Sequence, residues 1–339
     1  MKKKVLYSLL VIIIVGVALA AYGYSIINTG FDIKKTTYIY IDERKDYDIL
    51  LKELKDSAKV SNLSNFERLA SVMGYKDNLR TGRYAVTSDM NIFTLIRHLR
   101  SGHQTPVNLT FNNIRTKEDF VERISNQLMI DKEDLLLILN DPEKCNNLGF
   151  TPETIVAMFI PNTYQFYWDI SLDNFLQKMN KEYTKFWNED RLAKAKAIGL
   201  SPTEVSTLAS IVEEECTYTD EYPMVAGLYL NRLHIGQALQ ADPTVKFAVG
   251  DFSLRRILNK HLTVDSPYNT YKYQGLPPGP IRIPSIKGID AVLNHITHDY
   301  LYMCAKEDFS GRHNFAKTFS EHQRNASLYR AELNKRGIK

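Results

Sequence analysis

Cysteine is scarce in this sequence. Its three copies, Cys145, Cys216 and Cys304, are odd in number and far apart, which excludes a disulfide framework and a cysteine zinc site. They read as small buried side chains. No stripe of one charge sign occurs either: the net charge of +4 is spread along the chain and includes the N-terminal lysines. A phosphate backbone needs such a stripe, so nucleic acid is excluded as a partner. No HExxH or comparable pattern is present. His295 and His298 stand three residues apart, and with His313 and His322 they do not make a ligand set for a metal-dependent amidase or deacetylase. No metal and no cofactor is expected, and there is no repeat or low-complexity tract.

What is present begins with length. The 339 residues suffice for two or three domains that bury their own cores. Hydrophobic residues at 44% and charged residues at 24% are a globular mixture, and 20 tyrosines with 15 phenylalanines supply many flat faces on which sugar rings stack. Lys2, Lys3 and Lys4 precede an uncharged apolar run from Val5 to Tyr22, close to the roughly 20 residues that cross hydrocarbon as a helix. Lysines before a span stay cytoplasmic, so the remainder is read as extracytoplasmic (periplasmic) on a single-pass anchor in the cytoplasmic, or inner, membrane. The alternative is a cleaved signal peptide, because Ala18-Leu19-Ala20 has the small-residue form of a cleavage site. Tyr24, Ile26 and Ile27 continue the apolar character and suit an interfacial anchor.

Beyond the anchor (1–30), alternation predicts strands at 36–41, 82–86 and 107–111, and helical spacing predicts helices at 47–59, 66–73 and 91–101, the last capped by Ser88-Asp89-Met90. Residues 31–112 are therefore expected to form a small membrane-proximal α+β unit, two helices on a short sheet. From 113 to 339 the pattern is helix-rich, with helices at 117–129, 131–140, 171–187, 202–216 and 222–233, the last closed by Gly236. The fold class is α+β. The clearest helix start is Ser201-Pro202-Thr203-Glu204: serine at the cap, proline at the first position, glutamate three after the cap.

That helix carries Val205, Leu208, Ala209 and Val212 on one face and then three carboxylates, Glu213, Glu214 and Glu215. Successive helical residues point about 100° apart, so the three must meet different surroundings. One of them at the apolar edge of a groove would be desolvated and raised toward neutrality, as a general acid requires; a solvated acidic helix end is the plain alternative. Downstream stand Gln240-Ala241-Asp242-Pro243-Thr244, then Ser266-Pro267-Tyr268-Asn269-Thr270-Tyr271, then Gly275-Leu276-Pro277-Pro278-Gly279-Pro280-Ile281. Proline and glycine at this density make a stiff, shaped loop. Flanked by tyrosine, asparagine and threonine, it suits a sugar groove.

These blocks resemble, in order, the ASIVExE, LQxDPTV and YNTY…GLPPGPI segments of the YceG-like family, the endolytic murein transglycosylases known as MltG. Gly311, His313, Phe315, Thr318, His322 and Asn325 resemble its GxHxF…T…H..N ending, and Pro161-Asn162-Thr163-Tyr164 and Gly82-Arg83-Tyr84 extend the likeness more weakly. The chain departs from the family pattern at Val156, Ala157 and Asn162, so that segment is given no site role. The resemblance implies a lytic transglycosylase that cleaves the MurNAc-GlcNAc β-1,4 bond of peptidoglycan strands and leaves 1,6-anhydroMurNAc ends, cutting internally on nascent strands. It places the catalytic acid on Glu215. It makes the membrane-proximal unit LysM-like and residues 113–339 the catalytic domain.

Expected contacts to sugar are Glu213, Gln240, Asp242, Thr244, Tyr268, Asn269, Thr270, Tyr271, His313 and His322, with His313 and His322 orienting loops. Partners are then glycan strands, the inner membrane and, by location, cell-wall synthases. The resemblance also explains why one carboxyl suffices. Most glycosidases need two, but here the C6 hydroxyl of the substrate attacks C1, and intramolecular attack replaces the second carboxylate and its water. Asp242 is the candidate second carboxylate if the chemistry were hydrolytic. The alternative function is a non-catalytic peptidoglycan scaffold that recruits synthesis enzymes.

Overall fold

The computed structural model describes residues 2–254 and 256–337. Its contacts divide into two units: Met1–Leu109 with Gln127–Ile130 and Tyr164–Ser171, and the remainder from Thr110 to Lys339. Helices outweigh strands, and the fold is α+β as the alternation of patterns predicts.

The first unit opens with α1 (Lys2–Ile27), and its window Lys3–Ile27 has mean hydropathy 2.6 with none of it buried by protein. It is long and apolar enough to cross a membrane. Its end is tied down: Tyr22 Oη accepts from Arg68, Thr29 Oγ1 accepts from Asn65 at 2.8 Å, and Ile26 packs on the core. Strands β1 (Thr37–Ile41) and β2 (Gly82–Val86) pair antiparallel with Ile39 opposite Tyr84. Between and after them come α2 (Tyr47–Asp56), α3 (Leu63–Val72), α4 (Ile92–Ser101) and strand β3 (Val107–Thr110).

Leu50, Leu54, Phe66, Leu95 and Leu99 from all three of these helices close on Ile39 and Tyr84, so three helices cover the sheet where two are expected. The cap of α4 is Asn91, whose side chain accepts from Thr94 N–H, and not the Ser88–Met90 tripeptide. The later pieces join through Met129 N–H on Trp168 O at 2.7 Å, Tyr40 against Trp168, and Gln104 and Thr81 on Asp169.

The second unit contains α5 (Lys117–Ser125), α6 (Lys132–Asn140), α7 (Pro142–Asn147), a 3-10 turn at Ile155–Met158, α8 (Leu172–Phe186) and α9 (Glu189–Ala197). Strand β4 (Thr163–Phe166), which lies in the first unit from Tyr164 on, pairs with β3 of that same unit. Helix α5 stops at Ser125, short of the 129 expected, because the amide of Met129 is already used by Trp168. Then follow α10 (Pro202–Glu215), α11 (Tyr222–His234), α12 (Asp242–Val249), α13 (Asn259–Leu262) and α14 (Ile286–Leu293). A hairpin of β5 (Tyr302–Ala305) and β6 (His313–Ala316), with Ala305 opposite His313, leads to α15 (Phe319–Lys335).

Helix α10 is the axis of this unit and packs on α9, α11, α12 and α14. Val205 through Glu213 are all buried, so the one-sided apolar face expected of it is in fact burial all round. The polar residues on its far side stay satisfied: Ser206 and Thr207 bond back to Pro202 O and Thr203 O, and Ser210 Oγ accepts the N–H of Ile281 at 3.0 Å. Cys145 and Cys216 are buried as expected, whereas Cys304 is only half-buried because β5 lies at the surface.

Candidate active site

Ser201, Pro202 and Glu204 form the predicted start of α10, a complete capping box. Eleven residues beyond Glu204 the helix ends at Glu215, and its last three side chains go three ways, as a 100° step requires. Glu213 turns inward and is 8% exposed. Its Oε1 accepts Ser285 N–H at 2.8 Å and the Ser285 hydroxyl, and its Oε2 lies 3.5 Å from Arg282 Nε. The carboxylate thus sits at the N-terminus of α14, where the helix dipole favours it. Gly288 makes room: a Cβ there would fall 2.3 Å from Glu213 Oε1. Glu214 is held by Arg115 at 2.7 Å and Arg282 at 2.8 Å.

Glu215 opens into a cavity of about 220 Å³ that Tyr229, Arg232, Gln240, Asp242, Tyr271 and His313 also line. Tyr229 Oη donates to Glu215 Oε1 at 3.0 Å. Burial is the main force on this carboxyl, and the nearby charge of Asp242 adds to it; together they outweigh Tyr229 and Arg232 and push the group up to about 7. On the facing wall Tyr271 Oη donates to Asp242 Oδ1 at 2.6 Å, and burial with that bond raises the phenol above its ordinary range. Gln240 takes a left-handed backbone, φ 50°, a strained choice for a non-glycine residue. Its N–H is fixed on Thr270 O at 3.1 Å, so the turn into α12 holds Gln240 at the cavity edge. His313 N–H donates to Glu221 Oε1 at 3.1 Å, and its Nδ1 lies 3.3 Å from Oε2 of the same residue.

The remaining residues expected to touch sugar lie elsewhere. Thr244, Asn269 and Thr270 are at most 1% exposed, so none can meet a glycan. Asn269 Nδ2 donates to Leu262 O and Val264 O, both at 2.9 Å, and its Oδ1 accepts Tyr271 N–H. Thr270 Oγ1 accepts Ala241 N–H and meets Thr244 Oγ1 at 2.8 Å. These three fasten the Tyr271 loop to the start of α12, and they shape the cavity without lining it. Glu213 is likewise a buried clamp on α14.

Tyr268 packs on Phe247 and lines a separate cavity with Arg115 and Phe252. His322 stacks on Tyr302 at 5.6 Å, behind the cavity wall. A larger void of about 770 Å³ lies around the start of α10 and the end of α11, but Glu204, its carboxylate, is engaged by Ser201. Sequence reading missed Tyr229 and Arg232. The available signal was a polar pair three residues apart inside the apolar run Val225, Ala226 and Leu228 of α11.

Among the described residues no cluster of three or more histidine, cysteine or acidic side chains could hold a metal ion. The class these features define is an α+β protein organised around one carboxyl that changes protonation near neutral pH, with an apolar helix at its start. The chain belongs to the YceG-like family, whose model matches residues 39–327.

Among relatives, a Bacillus subtilis protein named endolytic murein transglycosylase is 28% identical over 332 residues, covering 93% of this chain and 91% of its own. A Streptococcus pneumoniae serotype 2 protein of the same name is 25% identical over 90% of this chain, which spans 61% of that relative's length. A 2.6 Å crystal structure of a YceG-like protein from Listeria monocytogenes matches with TM-score 0.57 and 29% identity, covering 86% of this chain and 99% of that one.

Proposed function

We propose that this protein is a membrane-anchored lytic transglycosylase acting on peptidoglycan strands outside the cytoplasmic membrane, with Glu215 as its acid and base. The observation that carries the reading is the Glu215 carboxyl itself, raised to about 7 in a small polar cavity at the end of a buried helix. Such a group keeps about half of its population protonated at neutral pH, where an ordinary carboxyl keeps almost none, and can give the proton up when a leaving oxygen arrives. In the proposed reaction Glu215 protonates the oxygen bridging MurNAc and GlcNAc. The carboxylate so formed takes the proton of the muramic C6 hydroxyl, which bonds to C1 and leaves a 1,6-anhydro end. Because that hydroxyl belongs to the substrate, no protein nucleophile and no ordered water are needed.

Asp242, kept in place by Tyr271, supports positive charge developing at the sugar ring, and Gln240 and His313 at the cavity edge orient the strand. The anchor α1 confines the enzyme to strands near the membrane, where cell-wall synthases work, and the membrane-proximal unit, LysM-like in this reading, helps hold glycan. Digestion of purified peptidoglycan by the full chain, followed by mass analysis of the ends, tests this. Anhydro ends that disappear in Glu215→Gln are expected. Ends opened by water would assign Asp242 as the second carboxylate of a hydrolase, and binding without cleavage would make the protein a scaffold.

A further inference from the structure

Arg232 lies three residues along α11 from Tyr229, is 7% exposed and lines the cavity of Glu215. A guanidinium keeps its charge in a protein, so burying one demands acceptors. Nε–H donates to Leu301 O at 2.6 Å, and Nη1–H donates to Leu239 O at 2.6 Å and Ala238 O at 3.4 Å. These bonds tie the β5 edge and the entry to α12 to one cation, which also faces the Tyr302 ring at 5.6 Å. Among the described residues Nη2 carries no hydrogen bond and Arg232 makes no ion pair with Glu215, although its charge still acts on that carboxyl. The lack of a direct pair matters. A direct ion pair would keep the carboxyl ionised and abolish the acid, whereas a cation slightly withdrawn leaves the acid form intact and waits for the anion.

We propose that Arg232 is a positioning residue for the reaction, its free Nη2 edge taking up the Glu215 carboxylate formed when the proton leaves for the bridging oxygen. The inference rests on Glu215 being the acid of the proposed transglycosylase. After transfer the anion has the Tyr229 hydroxyl as one donor and Arg232 as the other. The other charged groups around it cannot serve: Asp242 and Glu214 oppose the anion, Tyr271 is engaged by Asp242, and His313 is held by Glu221. The Cys304 thiol on the hairpin wall is a weak donor, raised by burial.

The test begins on the wild-type full chain in detergent, labelled with 15N-arginine. The Arg232 guanidinium signals should shift with pH at the midpoint of Glu215 and stay flat in Glu215→Gln. Signals that ignore Glu215 in the wild type would overturn the proposal, with no Arg232 variant needed. In Arg232→Gln the Glu215 midpoint should rise by about one pH unit, a tenfold change in proton affinity, and kcat should drop about tenfold or more. Arg232→Lys keeps the charge and should keep the midpoint. A merely structural role predicts lower stability in both variants with the midpoint unmoved. Absence of anhydro products from wild type would instead refute the transglycosylase reading, a separate result from the guanidinium titration.

Discussion

The Glu215 side chain concentrates most of the chemistry in one group, and its displaced protonation has two consequences, both of them losses as pH rises. For activity, the acid form is half depleted near pH 7, so kcat/KM should fall about tenfold per pH unit above that point. For stability the sign is equally definite. The folded value of about 7 lies above the ordinary 4.5, so between those limits the native state binds the extra proton. Stability then declines as pH rises from 4.5 to 7 and is flat beyond, a total of roughly 3 kcal/mol at about 1.4 kcal/mol per unit. Glu215→Gln should match wild type in denaturant unfolding near pH 4.5 and exceed it by about 2–3 kcal/mol at pH 8, while losing cleavage. Equal stability at both pH values would refute the buried-acid description.

At the same scale, Tyr271→Phe frees Asp242 and should slow cleavage about tenfold with little change in stability, measured by turnover and unfolding together. That the three carboxylates at the end of α10 must diverge was legible from helix geometry, but which of them enters the cavity was not, and only the family resemblance pointed to Glu215. Thr244, Asn269 and Thr270 were misread as sugar contacts because polarity in sequence does not reveal whether an amide or hydroxyl faces water or a neighbouring carbonyl. Arg232 and Tyr229 were hidden because their role depends on where the β5–β6 hairpin and α12 return to α11.

Among the elements, α10 shows what local signals determine. Its start was readable as Ser201-Pro202-Thr203-Glu204, and the capping box is present with both bonds. Ser201→Ala should cost about 1 kcal/mol in urea unfolding without touching the cavity. Its burial on every face was not readable, since the neighbours that cover Ser206 and Ser210 come from distant segments, Ser210 meeting Ile281 of the proline-glycine loop. That this segment is a loop was legible from composition. Its purpose was not: Gly279 lies so close to the Glu153 carbonyl that a Cβ would stand 2.0 Å from it. Gly288→Ala is the sharper probe, because its methyl would displace Glu213 from Ser285 and break a buried charge contact. A loss of about 3 kcal/mol is expected, with Glu215 chemistry weakened in proportion to the disturbed end of α10.

The whole molecule follows from one helix and two units. Helix α1 spans 26 residues, about 39 Å at 1.5 Å per residue, which exceeds the roughly 30 Å of hydrocarbon, and its final turns are tied to the first unit through Tyr22, Ile26 and Thr29. Deleting residues 2–20 should move the protein to the soluble fraction and leave cleavage of isolated peptidoglycan nearly unchanged. Intact-mass analysis of membrane protein separates the two sequence readings, since cleavage after Ala20 would yield a chain beginning at Ala21. The division into units was only partly visible in sequence. Gln127–Ile130 and Tyr164–Ser171 return to the first unit through Met129 and Trp168, pairings that no local pattern announces.

The central claim is that one carboxyl titrates near neutral pH, well above the ordinary carboxyl range. Carbon-13 titration of glutamate carboxyls in the full chain, with Glu215→Gln to assign the signal, measures it directly. A Glu215 midpoint near 7 is the predicted result. A midpoint in the ordinary range near 4.5 would leave the site without its acid and contradict the account.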